Sequence, residues 1–214
     1  KTLQLYGPVG TKRYIQEIFS VFGLVEKFKI EVHEVTGKFL ETNNFYISAE
    51  KMSHGCPCNA YQFVIKESLR IDKKKLKKFK IKEGPWLADL KKGKDIIYDN
   101  KKFKARDLTY LQQGKKVSFV FDTGINERIL PFVKDSDLLI AEASFLNEDK
   151  EKATDYKHMT AKQDAEIAKR AKVKELILTH VSQRYSKNIG KIEKEAKKVF
   201  KNTKLAKDFM KIEI

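Results

Sequence analysis

Three side chains of the metal-ligand type stand at the ends of apolar, strand-like runs. Asp122 follows Val117-Ser118-Phe119-Val120-Phe121, and His180 follows Leu176-Ile177-Leu178-Thr179. His54 sits at a strand-to-loop junction in Met52-Ser53-His54-Gly55, where Gly55 and Pro57 make a turn. Loops at strand ends converge, so such endings are well placed for a site. A carboxylate directly after a buried strand needs a partner, because an unpaired buried charge is costly. Two partners are open to Asp122: a helix N-terminus that it or Thr123 caps, or a metal ion. Imidazole and carboxylate are the donors that zinc and similar divalent ions prefer, and three such endings in one chain favour the metal over any single one.

His158 is of another kind. It lies in Asp155-Tyr156-Lys157-His158-Met159-Thr160, just before a helix capped by Thr160, while Glu142 follows the buried run Leu138–Ala141. A Glu142–His158 pair would make a positioned general acid; a loop histidine without a partner is the plainer alternative. His33, between acidic neighbours on an alternating strand, reads as a surface residue. Cys56 and Cys58 have a C-x-C spacing that suits neither a CxxC redox motif nor a zinc knuckle, so they read as reduced thiols.

The elements that must position these groups alternate along the chain. Expected strands cover Leu3–Tyr6, Lys27–Val35, Asn44–Glu50, Ala60–Ile65, Val117–Phe121, Leu138–Glu142 and Glu175–Thr179. Expected helices cover Thr11–Phe22 with Thr11 as cap, Asn126–Val133, Ala161–Ala171 and Ile189–Phe200. Lys204–Phe209 and Met210–Ile214 are expected to close the chain as short strands. Alternation of this kind predicts an α/β layered sheet.

At 214 residues and 41% hydrophobic content the chain suits one domain, or one domain with an appendage, and can bury a core. No apolar run approaches the ~20 residues of a membrane span, so no membrane partner is expected. The start, Lys1 to Tyr6, reads as a strand rather than a signal peptide, and it lacks an initiator Met. The expectation is a cytoplasmic protein whose sequence begins inside a longer one. Lys and Arg number 45 against 29 Asp and Glu, a net charge of +16, which favours polyanionic partners, chiefly nucleic acid, although a Lys-rich solvated surface gives the same count. Residues 73–82 hold seven lysines in ten positions, followed by Gly84-Pro85-Trp86 and a helical patch over Leu87–Lys92. The segment 67–94 is therefore expected to be a protruding basic insertion, with Phe79 packing in it and Trp86 either packing or stacking on a ligand.

Taken in order, these residues resemble the ribonuclease Z family of metallo-β-lactamase-fold nucleases. Tyr6-Gly7-Pro8-Val9-Gly10 is similar to the family's "YGPxG", Ser53-His54-Gly55 to its middle metal histidine, and Asp122-Thr123 to the "DT" whose Asp bridges two metals. Ala141-Glu142-Ala143-Ser144 and His158-Met159-Thr160 resemble its "HEAT" and "HST" loops, and Leu178-Thr179-His180 with Ser182, Arg184 and Tyr185 resembles "LTHxSxRY". Ala141, Phe121 and Met159 depart from these patterns without touching the proposed ligands.

The resemblance implies an αββα sandwich over residues 1–214 with an inserted tRNA-gripping arm at 67–94. It implies two divalent ions, zinc by preference, held by His54, Asp122 and His180, with Asp122 shared. It further implies a homodimer that removes the 3′ trailer of precursor tRNA by two-metal hydrolysis, with His158, oriented by Glu142, as general acid. Ser182 and Arg184 are expected near a phosphate, and Lys73, Lys74, Lys75, Lys77, Lys78, Gly84 and Pro85 on the tRNA body. One departure is larger. The family's His-x-His-x-Asp-His motif, which precedes "YGPxG", occurs nowhere in the chain. Hence the expectation of an N-terminally truncated domain that by itself binds metal weakly and has little activity. Two other readings remain: a different metallo-β-lactamase-fold phosphodiesterase acting on small substrates, and a non-catalytic RNA-binding fragment.

Overall fold

The computed structural model describes residues 2–23 and 28–214. Lys1 and Lys27, which the expectations placed at the start of the domain and of one strand, lie outside them. Two compact units are present. One comprises Lys1–Glu41, Tyr46–Val64 and Lys116–Ile214; the other comprises Thr42–Phe45 and Ile65–Lys115.

The first unit is built on a sheet whose strand order is Thr203–Leu205, Glu175–Thr179, Leu138–Glu142, Lys115–Val120, Asn59–Ile65, Phe45–Lys51, Gly37–Glu41. The first four run parallel to one another. Leu138-Leu139-Ile140-Ala141 and Leu176-Ile177-Leu178 are continuous apolar runs because both faces of a parallel sheet are covered. On one face lie helices Ala161–Arg170 and Gly190–Lys197, whose Ala165, Ala168, Ile192 and Ala196 are buried with Leu139, Leu176 and Leu178. The first of these helices opens with a capping box, Thr160 and Gln163 each bonding the other's backbone N–H. A separate parallel pair joins Thr2–Gly7 to Lys29–Glu34.

Several expected elements are corrected. Gly10, with φ of 96°, caps the helix Thr11–Val21, while the Thr11 hydroxyl donates to the Pro8 carbonyl at 2.6 Å. The expected Asn126–Val133 helix is confined to Ile129–Val133. Asn126 instead folds its side chain onto the local backbone, with Oδ1 accepting from Arg128 N–H and Nδ2 donating to the Gly124 carbonyl. At the C-terminus only Thr203–Leu205 is a strand. Phe209 takes a left-handed φ of 61°, and Met210 and Ile212 pack on Val117, Leu138 and Ile177 as irregular chain.

The second unit encloses residues 67–94 but is larger and has a core of its own. Leu76, Ile81, Leu90, Ile96, Ala105 and Leu108 are buried together, with Trp86, Tyr98 and Phe103 against them. Helix Lys73–Lys78 is capped by Asp72, whose carboxylate accepts from Lys74 and Lys75 N–H. Only Leu76 of that helix is buried, so Lys73, Lys74, Lys77 and Lys78 stay exposed. Trp86 packs: its indole donates to the Lys82 carbonyl at 3.0 Å and its ring meets Tyr98 edge-on. A Cβ on Gly84 would collide with that indole. Asp99 and Asn100, both left-handed, turn the hairpin Ile96–Tyr98/Lys101–Phe103, which the sequence reading did not anticipate.

Candidate metal centre

Three adjacent parallel strands, Lys115–Val120, Leu138–Glu142 and Glu175–Thr179, end side by side, and chemistry collects at their C-terminal edge. Asp122 and His180 leave the two outer strands with φ of 47° and 51°. Left-handed backbone costs a non-glycine residue about 1–2 kcal/mol and persists only where the surroundings impose it. Here it turns both side chains toward each other, His180 Nε2 to 3.1 Å from Asp122 Oδ1. The capping alternative for Asp122 is not realised: the next helix has no side-chain cap, and Thr123 spends its hydroxyl on the Gly124 and Ser53 carbonyls.

Glu142 ends the central strand and is fully buried. Three donors reach it: Thr123 N–H at 2.6 Å on Oε1, and Ser144 Oγ at 2.8 Å and His158 Nδ1 at 2.7 Å on Oε2. The backbone thus satisfies one oxygen and side chains satisfy the other, as a buried carboxylate requires. The Glu142–His158 pair anticipated from the sequence is present.

The hydrogen-bond pattern assigns tautomers to three histidines. Each Nδ1 faces an atom that must accept. For His54 this is the Lys157 carbonyl at 3.1 Å, and for His158 the Glu142 carboxylate. For His180 it is Ser144 Oγ at 3.0 Å. Ser144 has one proton, and its other neighbours, Glu142 Oε2 and the His180 carbonyl at 2.8 Å, are both pure acceptors. Its proton goes to one of them, so Oγ accepts from His180 Nδ1–H. His54 and His158 as neutral imidazoles therefore carry the proton on Nδ1 and leave the Nε2 lone pair free, as histidine ligands do when their second nitrogen is held by an acceptor; His180 Nδ1 is held in the same way, while its Nε2 faces the Asp122 carboxylate and would be a ligand for a cation placed between the two.

Asp122, His158 and His180 each offer a donor atom, all within 4.8 Å of one another, which suits the N/O coordination shell of a divalent ion. His54 is not among these three, but its ring lies 5.2 Å from that of His158, which in turn is 5.4 Å from that of His180. Ser182 and Arg184 line a cavity of about 310 Å³ with Ser144, Phe145, Tyr156, His158 and His180. The Arg184 guanidinium lies over the Phe145 ring at 4.8 Å and pairs with Asp149 at 3.7 Å. Tyr185 anchors that loop, donating to Asp149 at 2.6 Å and accepting from Leu146 N–H. Lys73, Lys74, Lys75, Lys77, Lys78, Gly84 and Pro85 belong to the second unit.

Ser144 was missed as a contributor, since a serine in a loop carries no signal of its own. Asp164 was missed as well. Full burial, with the charge of Glu142 adding to it, holds its carboxyl well above the usual carboxylate range. Cys56 and Cys58 are free thiols. Burial is the largest influence that pushes Cys58 up to about 11, and its Sγ donates to the Asp122 carbonyl at 3.3 Å.

A family model described as "Beta-lactamase superfamily domain" matches residues 2–181, which places the fold in that class. Two solved structures agree at the level of fold, each with a TM-score of 0.60. A metallo-beta-lactamase fold protein from Bacillus subtilis is 21% identical, with 96% of this chain and 63% of that one covered. The short form of human tRNase Z is 20% identical, with 97% and 66% covered. Among curated relatives, a ribonuclease Z from Bacillus cereus is 37% identical over 96% of this chain and 69% of its own length. Another, from Nanoarchaeum equitans, is 32% identical over 90% and 61%. The chain belongs to the ribonuclease Z family.

Proposed function

We propose that this chain carries part of the active site of an endoribonuclease that removes the 3′ trailer of precursor tRNA by metal-dependent phosphodiester hydrolysis. The observation that carries the reading is the convergence of Asp122 and His180 beside the buried Glu142–His158 pair. Two zinc ions are the cofactor we assign, and His54, Asp122 and His180 are the residues that would hold them. Bound ions of this kind polarise a phosphodiester and generate a nucleophile from water at neutral pH.

The chain's own groups do the rest. His158 keeps one proton on Nδ1 for Glu142 and, as the imidazolium, offers the other from Nε2 to the leaving 3′ oxygen. Glu142, held by Thr123 N–H and Ser144, fixes the ring's orientation and balances its charge. Arg184 and Ser182 sit beside the same histidines, where a phosphate of the substrate would pass. The exposed lysines 73, 74, 77 and 78, with the half-buried Lys75, neutralise phosphates of the tRNA body without reading bases; Gly84 and Pro85 shape that surface. A cytoplasmic homodimer completes the proposal. Among the described residues no helix is long and apolar enough to cross a membrane.

The test is cleavage of precursor tRNA with a labelled trailer by the chain joined to a segment that bears His-x-His-x-Asp-His. Asp122→Ala should abolish cleavage, and His158→Ala should slow it while sparing metal binding. Cleavage that survives Asp122→Ala would reject the reading. Equal activity on a small phosphodiester and on precursor tRNA would favour the small-substrate hydrolase instead.

A further inference from the structure

The cavity beside the histidines contains more aromatic surface than a phosphate needs. Phe145 forms its floor, 4% exposed, with the Arg184 guanidinium lying over the ring. Tyr156 lies nearly parallel to Phe145, the planes 11° apart and the centroids 6.3 Å apart, yet it is 64% exposed. Its ring thus offers an open face to the cavity alongside that of Phe145. The cation is fixed. Asp149 holds Arg184 from one side and receives the Tyr185 hydroxyl from the other. Flat, pre-set π and guanidinium surfaces are what a nucleobase stacks on, and they need no particular base to do so. The volume of about 310 Å³ admits one nucleoside. His158 and His180 line the same space, so an occupant there lies directly beside the groups assigned to the chemistry.

We propose that this cavity is a nucleobase subsite, in which Tyr156 stacks on the base of a nucleotide adjoining the scissile phosphate and Arg184 closes the opposite wall. The assignment rests on the nuclease reading given above and deepens it. Stacking is indifferent to base identity, so the subsite senses whether a base is present rather than which base. A substrate with a flexible or missing base at that position would be held less firmly.

The probe is a short RNA hairpin with a single-stranded 3′ extension, titrated onto the 214-residue chain by fluorescence anisotropy. It is prepared intact, abasic 5′ of the expected cleavage point, and abasic 3′ of it. One abasic form should bind about tenfold more weakly, the size expected for loss of one base–aromatic stack. Tyr156→Ala should weaken the intact hairpin by a similar factor and leave that abasic form unchanged, while Tyr156→Phe should match the native chain. If both abasic forms bind like the intact hairpin, or if Tyr156→Ala weakens all three equally, the subsite is disproved and RNA binding stands. If none of the hairpins binds, this inference and the nuclease reading fall together.

Discussion

Replacing Ser144 with alanine removes one hydroxyl that serves three neighbours. Its Oγ stands 2.8 Å from Glu142 Oε2, 3.0 Å from His180 Nδ1 and 2.8 Å from the His180 carbonyl. Glu142 is fully buried, so water cannot take the lost donor's place there. A hydrogen bond to a charged group contributes about 1.5–3 kcal/mol, and that sets the expected loss of stability. For a chain of this size each kcal/mol moves Tm by about 2–4 °C, so melting should fall by about 3–12 °C. The His180 side chain is 47% exposed, and solvent can accept from its Nδ1–H, so the fold survives. What does not survive is the fixed tautomer. With Nδ1 no longer held, Nε2 ceases to be the sole lone-pair nitrogen, and loss of such a second partner weakens metal binding by about 10–100-fold. Two assays separate the effects: calorimetric zinc titration, and ¹⁵N spectra of the histidine rings with zinc added, where four histidines give an assignable set. Native zinc affinity together with an unchanged His180 ring spectrum in Ser144→Ala would refute the tautomer reasoning.

Other consequences can be checked separately. Asp164 is buried with Oδ2 unpaired and its carboxyl raised. A folded-state pKa above the unfolded value means that stability is present below the unfolded pKa and is lost as pH rises through the window up to the folded one. Native protein should therefore lose stability relative to Asp164→Asn as pH rises above the ordinary carboxylate range of about 4, measured by urea unfolding; parallel pH profiles would contradict this. Changing Lys73, Lys74, Lys77 and Lys78 together to Gln spares the buried Leu76 and should lower the slope of log affinity against log salt for tRNA by about 3. An unchanged slope would remove these lysines from the interface.

The central sheet was legible because its signal is redundant. Leu138–Ala141 and Leu176–Leu178 are apolar throughout, and the ends of their strands are marked by Glu142 and His180. The strand-end placement of Asp122 and His180 followed from the same pattern, which left the Glu142–His158 pair as one of two alternatives. The left-handed turns that aim those side chains at each other leave no trace in residue type, since aspartate and histidine occur in many settings. The lysine-rich stretch read as a protruding basic insertion because its charges outnumber its apolar residues; its core is assembled from Leu76, Ile81 and Leu90 with Ile96, Ala105 and Leu108, too scattered for periodicity to show. Helix Ile129–Val133 was overextended because Asn126 turns on itself, a local competition that hydrophobic spacing cannot register.

Titration of the 214-residue chain with zinc, side by side with Asp122→Ala and His180→Ala, tests the central claim most directly. The account predicts saturable though weak binding by the native chain, undetectable in either variant, with the fold retained by circular dichroism. Equal binding by all three proteins, or none by the native chain, would contradict it.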